Sequence, residues 1–350
     1  MRADRDAGND PATDKRTARA VAAKPAAVGY TVRALCNDFM TGYVDINRQP
    51  KGAKEARRLF DKYLGDFADA QAVDTTRKTA FAVIEAMAST PVQAKSLKAD
   101  LGAAWDYALD AGKLPDNAAN WWRLIMRGKL RSKGRMVQGE SDGGVKRFFT
   151  GQEAGTVINW LPNFSRNVCD VLTLYFWTCC RGVEICAMEK SEIHEEADGL
   201  WWVIPKAKTK NARYSSATDQ RVPLIGRAES VVRRRMLLTN GFIFLSPGKL
   251  GHIEQKAIQT TVWIHQPYSK TRPEEARARL TVTHWSPHDV RRTGRTFLAS
   301  LGCPEEVAEA ILGHLPPGIV GVYNMYKYDA ERRLWLTRLS DHLELLASKA

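Results

Sequence analysis

The stretch "NVCDVLTLYFWTCC", residues 167–180, is apolar on nearly every side when it is drawn as a helix. A helix at a protein surface keeps a polar face, so a helix without one must lie at the centre of a domain, covered by other elements. The sequence therefore predicts a central buried helix at this position. The segments around it must supply the layers that cover it.

The segments on both sides of this helix combine helix and strand patterns. Upstream, "TGQEAGTVINWL" predicts a helix with Thr150 as its N-cap and Glu153 at the third helical position. Downstream, "LWWVIP" and "QRVPLI" predict two strands joined by a long basic turn, "KAKTKNARYSSATD". Further helices are predicted near residues 227–238, 253–265, 287–301, 304–312, 319–327 and 330–348. Together these elements predict a mixed α/β domain.

The part of the chain before this domain is organised differently. Residues 1–28 lack apolar periodicity and are predicted to form a disordered tail. Residues 29–130 contain four amphipathic segments with apolar residues at steps of three and four, which predicts a compact helical domain. Residues 131–147 are rich in glycine, lysine and arginine, which predicts a linker whose cations either face solvent or follow a phosphate backbone. The mixed domain then covers residues 148–350.

The whole chain has a formal net charge of +13 and a pI near 9.5, an excess of cations that folding does not require. Such a field favours polyanions, so nucleic acid and an anionic membrane surface are the candidate partners. No apolar run approaches the roughly 18 residues that span a bilayer, and the N-terminus has no apolar signal segment. The six cysteines form no CxxC pair and lie mostly among apolar residues. They predict buried thiols in a reducing, cytoplasmic compartment rather than disulfides or a zinc site.

The segment "SPHDVRRTGRTFLASLG" predicts a helix whose first turns suit an anion. Ser286 is the predicted N-cap, with Asp289 at the third helical position. His288 and Arg291 are three residues apart and share a face near the N-terminus, where the helix dipole favours an anionic oxygen. An exposed basic face is the alternative. A metal site formed by His284 and His288 is a weaker hypothesis, because the cap places His284 outside the helix.

A second arginine, Arg181, directly follows the apolar central helix. A guanidinium at that position needs an anion or a carbonyl as its partner. Glu184 is the local candidate, either as half of a buried ion pair or as a group that orients Arg181 for a substrate. The turn between the predicted strands carries several lysines, one of which could reach a bound phosphate, and solvated charge is the alternative.

The sequence resembles the tyrosine recombinases, such as phage and genomic-island integrases, in four motifs. They are "RGVEI", a lysine-bearing hairpin before "RVPL", "HDVRRT", and "LGH" with a tyrosine nine residues beyond its histidine. The resemblance covers about residues 150–345, and residues 30–130 look like the family's core-binding domain by position and helicity. It implies a fold that is mainly α with a small β-sheet, in which a helical, SAM-like core-binding domain precedes a mixed α/β catalytic domain.

Carried over residue by residue, the resemblance implies six catalytic positions. They are Arg181, Lys210, His288, Arg291, His314 and, as the nucleophile, Tyr323. Lys210 is chosen because family members often have T-K-N-x-R after the proline of the strand, and Lys208 is the alternative. Among the tyrosines, Tyr326 is the second choice for the nucleophile and Tyr328 is predicted to have a packing or surface role.

The implied function is that of a site-specific DNA recombinase, an integrase, which cleaves and rejoins DNA through a 3′-phosphotyrosyl link. Because arginines and histidines would stabilise the charge on the phosphate oxygens, no metal ion or other cofactor is expected. The phosphotyrosyl link would store the energy of the phosphodiester, so no ATP is expected either. The expected partners are double-stranded DNA attachment sites, a homotetramer on the DNA and DNA-bending accessory proteins, without a membrane, in the cytoplasm of a bacterial or phage-infected cell. A type IB topoisomerase-like enzyme and a catalytically decayed DNA-binding regulator are the alternatives.

The predicted last helix has apolar residues that recur at helical spacing. They are Leu334, Leu336, Leu339, Leu343 and Leu346. In the tyrosine recombinases a C-terminal segment packs onto a neighbouring protomer, so the resemblance implies a protomer contact here. Packing onto its own domain is the alternative.

Overall fold

The computed structural model describes residues 29–132, 134, 136–137, 140–141, 146–271, 278–315 and 326–350. The chain forms two compact units, Met1–Gly144 and Val145–Ala350. Helices predominate, and a three-stranded antiparallel sheet belongs to the second unit. The predicted fold class, mainly α with a small β-sheet, is confirmed.

The first unit is a group of helices around an apolar core. From residue 29 onwards its α-helices are α1 Val32–Phe39, α2 Pro50–Tyr63, α3 Arg77–Glu85, α4 Pro91–Asp110 and the short α5 Trp121–Leu124. A π-helical turn, Met40–Val44, and a short turn, Asp45–Asn47, extend α1. The four predicted amphipathic segments correspond to α1–α4, because their regularly spaced apolar residues form the buried faces.

The basic segment 131–147, for which the sequence predicts a linker, contains two short strands. β1 Met136–Val137 and β2 Glu140–Ser141 pair antiparallel, with Met136 opposite Ser141. Each strand has only two residues, so the alternation that would reveal it in the sequence is too short to detect.

The second unit is built around the predicted central helix. It begins with α6 Gly151–Trp160, followed by α7 Arg166–Thr178. Every residue of α7 from Asp170 to Thr178 is buried, which confirms the prediction of a central helix. The predicted cap of α6 is also confirmed, since Thr150 Oγ1 accepts from the Glu153 backbone N–H at 3.2 Å.

The sheet lies after α7 and the short helix α8 Gly182–Cys186. Its strands are β3 Ile193–Glu196, β4 Gly199–Ile204 and β5 Gln220–Pro223, in the spatial order β3-β4-β5. The two predicted strands correspond to β4 and β5, with Trp202 opposite Val222. β3 was not predicted because its sequence, "IHEE", is polar except at Ile193, as suits an edge strand with little buried surface.

The remaining helices that the structure describes in this unit are α9 Arg227–Met236, α10 Gln255–His265, α11 Pro287–Ser300, α12 Glu305–Ile311 and α13 Asp329–Lys349. Most of the helix predicted at 319–327 lies outside the described residues, and residues 326–328 precede α13 without helical structure. In the part of the chain that the structure describes, no helix is long and apolar enough to cross a membrane.

The last helix, α13, packs against α6, α7, α11, α12 and β5 of its own unit. Its buried residues are Trp335, Leu336, Leu339, Ser340, Leu343 and Ala347. Packing onto its own domain, which the sequence left open, is therefore what this helix does within one chain. A contact with a neighbouring protomer stays a prediction.

Candidate functional site

Arg181 lies at the start of α8, where the chain leaves the central helix. Cys179, at the end of α7, has a left-handed backbone conformation with a φ of 54°, which turns the chain away from the helix axis. The buried carboxylate of Glu184 accepts from the Arg181 backbone N–H and from its Nη1, both at 3.0 Å. The predicted pairing of Arg181 with Glu184 is confirmed. Glu184 contacts both the backbone N–H and the guanidinium of Arg181 and so fixes the position of this side chain.

Arg291, in the second turn of α11, is almost completely buried, with 3% of its surface exposed. Its Nη1 donates to the carbonyl of Cys179, and its Nη2 donates to the carbonyl of Leu312 at 2.7 Å. Burial lowers the pKa of Arg291, and the nearby charge of Arg181 lowers it further. An arginine pKa starts so high that the guanidinium keeps its charge at neutral pH.

The predicted start of α11 is confirmed. Asp289 Oδ2 accepts from the Ser286 backbone N–H and hydroxyl, both at 2.8 Å, so the helix is capped where the sequence predicts. His284 lies before this cap with a φ of 62°, so it lacks the helical geometry that a metal site shared with His288 requires. Burial, followed by the charges of Arg292 and Arg291, lowers the pKa of His288 and favours its neutral form.

His314 follows α12 after a turn at Gly313, whose φ is +62°. Its Nδ1 contacts the carboxylate of Glu309, and its Nε2 lies 3.2 Å from Arg291 Nη2. The other oxygen of Glu309 accepts from Arg295 Nε at 2.9 Å. The sequence did not single out Glu309, because helical spacing does not pair it with a residue five positions later.

The carbonyl of Gly313 joins the turn between β4 and β5 to Arg181. It accepts from Arg181 Nη2 at 3.4 Å and from Asn211 Nδ2 at 3.0 Å. Asn211 belongs to the turn between β4 and β5, so this contact places the turn next to Arg181. A Cβ on Gly313 would lie 2.0 Å from Gln220 Oε1, and the φ of +62° also favours glycine, so another residue here would have to displace the Gln220 side chain and adopt a strained backbone. The sequence assigned Asn211 no role of its own, and its only signal was its place in the T-K-N-x-R pattern directly after Lys210.

The two candidate lysines have different surroundings. Lys208 Nζ donates to the carbonyl of Ala187 at 3.1 Å and to the carboxylates of Glu189 and Glu192. Burial disfavours its charge, but the two carboxylates outweigh burial and raise the pKa of Lys208. Lys210 is exposed, and no hydrogen bond or ion pair of its side chain occurs within the described ranges.

The three tyrosines lie in and beside a stretch, 316–325, that the structure does not describe, and Tyr323 is inside that stretch. Tyr326 donates to the carboxylate of Glu331 at 3.1 Å, and this hydrogen bond raises the pKa of the phenol. The ring of Tyr328 lies 4.8 Å from that of Tyr326, and its backbone is left-handed directly before α13.

The structure thus brings Arg181, Arg291 and His314 together around the carbonyls of Leu312 and Gly313. The charges of both arginines act on His288, which lies on the same helix as Arg291. Across the described ranges, no group of three or more histidine, cysteine or acidic side chains has an arrangement that could hold a metal ion.

The chain is similar in fold to solved integrases. A fragment of the Tn1549 transposon integrase, in complex with a circular intermediate DNA, matches with a TM-score of 0.60 and 14% identity, over 88% of this chain and 99% of that one. A lambda integrase dimer bound to a core site matches with a TM-score of 0.58 and 14% identity, over 82% and 96% of the two chains. A lambda integrase tetramer bound to a Holliday junction matches with a TM-score of 0.59 and 13% identity, over 87% and 81%.

No model of a known protein family matches the sequence, and no curated protein matches it either. The Tn1549 and lambda integrases are tyrosine recombinases, so the resemblance seen in the four motifs is confirmed at the level of the fold.

Proposed function

We propose that this protein is an integrase of the tyrosine recombinase type, which cleaves and rejoins DNA at specific sites through a 3′-phosphotyrosyl intermediate. The observation that carries the proposal is the convergence of Arg181, Arg291 and His314 on one place. The fold that carries these three residues is shared with integrases that were solved in complex with DNA.

The two arginines are suited to hold the non-bridging oxygens of a phosphodiester. A guanidinium has five N–H donors. Arg181 uses two of its N–H groups on Glu184 and Gly313, and Arg291 directs three at Cys179, Leu312 and His314. The remaining donors can clamp a phosphate bidentately. Removing one such donor typically lowers the rate about 10²–10³-fold.

We assign the general acid to Lys210, which would protonate the departing 5′-hydroxyl. Lys208 is a poorer candidate, because two carboxylates and a carbonyl already accept its hydrogen bonds and its raised pKa makes proton release harder. Lys210 is exposed, and its neighbour Asn211 is held at the carbonyl that Arg181 also contacts. The position of the loop therefore favours Lys210.

We assign the nucleophile to Tyr323, which stands nine residues after His314. A tyrosine with a pKa near 10 needs neighbouring cations to favour its phenolate. Tyr326 is less suited, because the hydrogen bond to Glu331 raises its pKa and stabilises the protonated phenol. Neutral His288 can accept or share a proton next to the arginines.

We expect the first unit to contact DNA phosphates through a basic cluster. Burial lowers the pKa of Lys98, and the charges of Arg123, Arg127 and Lys95 lower it further, so these cations lie close together. Such a cluster is stabilised when phosphates neutralise it. The proposed assembly is a homotetramer on two DNA duplexes in the cytoplasm, assisted by DNA-bending proteins.

The test is the capture of a covalent protein–DNA adduct. Full-length protein is incubated with nicked suicide duplexes that tile the genomic DNA flanking the gene, and the adduct is separated on a denaturing gel and mapped by mass spectrometry. The expected result is an adduct on Tyr323 that disappears in Tyr323→Phe and persists in Tyr326→Phe. An adduct on Tyr326 would move the nucleophile, and no adduct on any duplex would point to a catalytically decayed regulator.

Two further assays separate the remaining alternatives. Recombination between two sites is expected, whereas relaxation of supercoiled DNA without recombination would indicate a topoisomerase-like enzyme. A duplex with a 5′-bridging sulfur at the scissile phosphate needs no proton on its leaving group. This duplex should restore cleavage by the Lys210→Ala variant. Restored cleavage by Lys208→Ala, without restored cleavage by Lys210→Ala, would overturn the assignment of the general acid to Lys210.

A further inference from the structure

We propose that Glu309 is a positioning residue for His314, whose imidazole it holds in the tautomer that carries the proton on Nδ1, with Nε2 facing Arg291. This inference rests on the proposed function for its catalytic consequence. The geometry itself rests only on the contacts among Glu309, His314, Arg291 and Arg295.

The turn after α12 brings the imidazole of His314 back over the last turn of that helix. The backbone N–H of His314 donates to the Glu309 carbonyl at 3.0 Å, and Nδ1 contacts the Glu309 carboxylate. The chain can turn back in this way because Gly313 has a φ of +62°, a backbone conformation that residues other than glycine rarely adopt.

The carboxylate of Glu309 is held from two sides. One oxygen contacts His314 Nδ1, and the other accepts from Arg295 Nε of α11 at 2.9 Å. Burial disfavours the charge of Glu309, but the hydrogen bonds from His314 and Arg295 outweigh burial and lower its pKa. Glu309 is therefore a carboxylate at neutral pH, and it accepts hydrogen bonds without donating any.

The tautomer follows from the donors and acceptors on both sides of the ring. Arg291 Nη2 only donates, so His314 Nε2, 3.2 Å away, must accept if the two form a hydrogen bond. A neutral imidazole then carries its proton on Nδ1, which needs an acceptor, and Glu309 supplies one. A ring flip would place a carbon where Nε2 meets Arg291 and would break both contacts.

The consequence for the proposed reaction is geometric. Both N–H groups of Arg291 Nη2 are directed at Leu312 and His314, so His314 Nε2 helps to hold the guanidinium whose remaining N–H groups would bind a phosphate oxygen. Without Glu309 the ring can rotate about a broad terminal torsion, and the nitrogen beside the arginine is no longer defined. Loss of the orienting partner behind a metal-binding histidine typically lowers affinity or activity about 10–100-fold, and we expect a loss of the same order for His314.

If Glu309 had only a structural role, replacing it would lower the melting temperature of the protein. The side chains of Glu309 and His314 are 38% and 43% exposed, and exposed ion pairs contribute little to stability. Replacing Glu309 should therefore leave the melting temperature almost unchanged while it changes the site.

The experiment combines adduct formation with a measurement of the tautomer. Single-turnover adduct formation on the suicide duplex is compared for wild type, Glu309→Gln and Glu309→Ala. Because an amide oxygen can still accept from Nδ1–H, we expect Glu309→Gln to retain more activity than Glu309→Ala, which should lose about 10–100-fold. Glu229→Ala, which removes a similarly exposed carboxylate paired with Arg233, is the matched control and should behave as wild type.

The dependence on His314 decides between positioning and general destabilisation. In a His314→Ala background, Glu309→Ala should have no further effect, because there is no ring left to orient. A full additional loss in that background would overturn the proposal.

The tautomer is read by ¹⁵N NMR of the histidine side chains, with His314→Gln used to assign the signal. We expect the Nδ1–H form in wild type and its loss in Glu309→Ala. This readout needs no activity, so a wild-type protein that forms no adduct would contradict the proposed function while the spectrum still tests the role of Glu309. An Nε2–H tautomer in wild type would refute the inference itself.

Discussion

Cys179 and Gly294 lie so close together that a Cβ on Gly294 would be 2.3 Å from the Cys179 thiol. Gly294 is on α11 and Cys179 ends α7, so the missing side chain lets the two helices approach each other. Arg291 lies one turn before Gly294, and its Nη1 reaches the carbonyl of Cys179. The close approach of the helices therefore also sets the position of this arginine.

Gly294→Ala should destabilise the second unit, because the new methyl group collides with a buried thiol. Overpacking of this kind costs about 1–3 kcal/mol. Cys179→Ala removes the sulfur and leaves its Cβ at an ordinary distance of 3.8 Å, so the double variant should regain most of the loss. Urea unfolding of both single variants and the double variant measures this coupling, and additive effects would contradict the packing argument.

Gly313→Ala should abolish adduct formation. Its φ of +62° disfavours alanine, and the methyl group would lie 2.0 Å from Gln220 Oε1, so either the buried Gln220 side chain or the backbone whose carbonyl Arg181 and Asn211 share has to shift. Gly251→Ala is the matched control, with a φ of +72° but no neighbour of its Cβ closer than 3.6 Å. Equal losses of activity in the two variants would show that backbone strain alone is responsible.

Stability should fall as the pH falls below about 6.5, in part because of His288. Its pKa is lowered in the folded protein from an ordinary value of 6.5, by burial and by Arg292 and Arg291. The unfolded chain therefore binds a proton first, so the contribution is present above pH 6.5 and is lost as the pH falls towards the folded pKa. Urea unfolding at pH 7.5, 6.5 and 5.5 should show a smaller decrease for His288→Gln, and an identical decrease would rule out this cause.

Substitutions of the two lysines in the turn between β4 and β5 should have opposite effects, one on stability and the other on activity. Lys208→Met leaves the buried Glu192 carboxylate with one hydrogen bond fewer and should lower the free energy of unfolding by about 1–3 kcal/mol at neutral pH. Lys210→Met, at an exposed position, should change it by no more than about 0.5 kcal/mol but should abolish cleavage.

The raised pKa of Lys208 sets the pH range of its effect. The stabilisation is present below the ordinary lysine pKa of 10.5 and is lost only as the pH rises through the higher folded value. Unfolding measurements and the adduct assay on the same preparations check both parts. A destabilised Lys210→Met with normal cleavage would reverse the assignments.

The two faces of α13 should respond differently to substitution. Leu343→Ala, at a fully buried position, should cost about 2–5 kcal/mol. Leu334→Glu and Leu345→Glu change side chains that are each 49% exposed, so the fold should survive. If this helix also contacts a neighbouring protomer, these two variants should bind a single DNA site normally but fail to form tetramers in analytical ultracentrifugation with DNA. Normal assembly would limit α13 to its own unit.

The sequence predicted the central helix, the caps of α6 and α11 and the partnership of Arg181 with Glu184, which lie three residues apart. It also predicted the strands β4 and β5, whose apolar residues are regular. It missed β3, because "IHEE" carries no alternating apolar pattern. It left the packing of α13 open, because apolar spacing marks a buried face without saying what covers it.

The residues of the site also fall into those that the sequence predicted and those that only the structure revealed. The motifs singled out the arginines and histidines, but they gave no role to Asn211 or Glu309. Lys210 was preferred to Lys208 only because of the family's T-K-N-x-R pattern. The Gly313 carbonyl joins Asn211 to Arg181, and Lys208 contacts two carboxylates far upstream. Contacts of this kind depend on how the turn between β4 and β5 packs, for which no local pattern exists.

By itself, then, the sequence determined the features that depend on residues close together in the chain. These are the buried helix, Arg181 at its polar end, and the capped helix that carries His288 and Arg291. Only the tertiary structure decided that Glu309 holds His314 and that Lys208 is bound by acidic side chains while Lys210 stays exposed. The physical reason is that helix propensity and capping act within one or two turns of chain. Hydrogen bonds between distant residues form only when packing has brought their elements together.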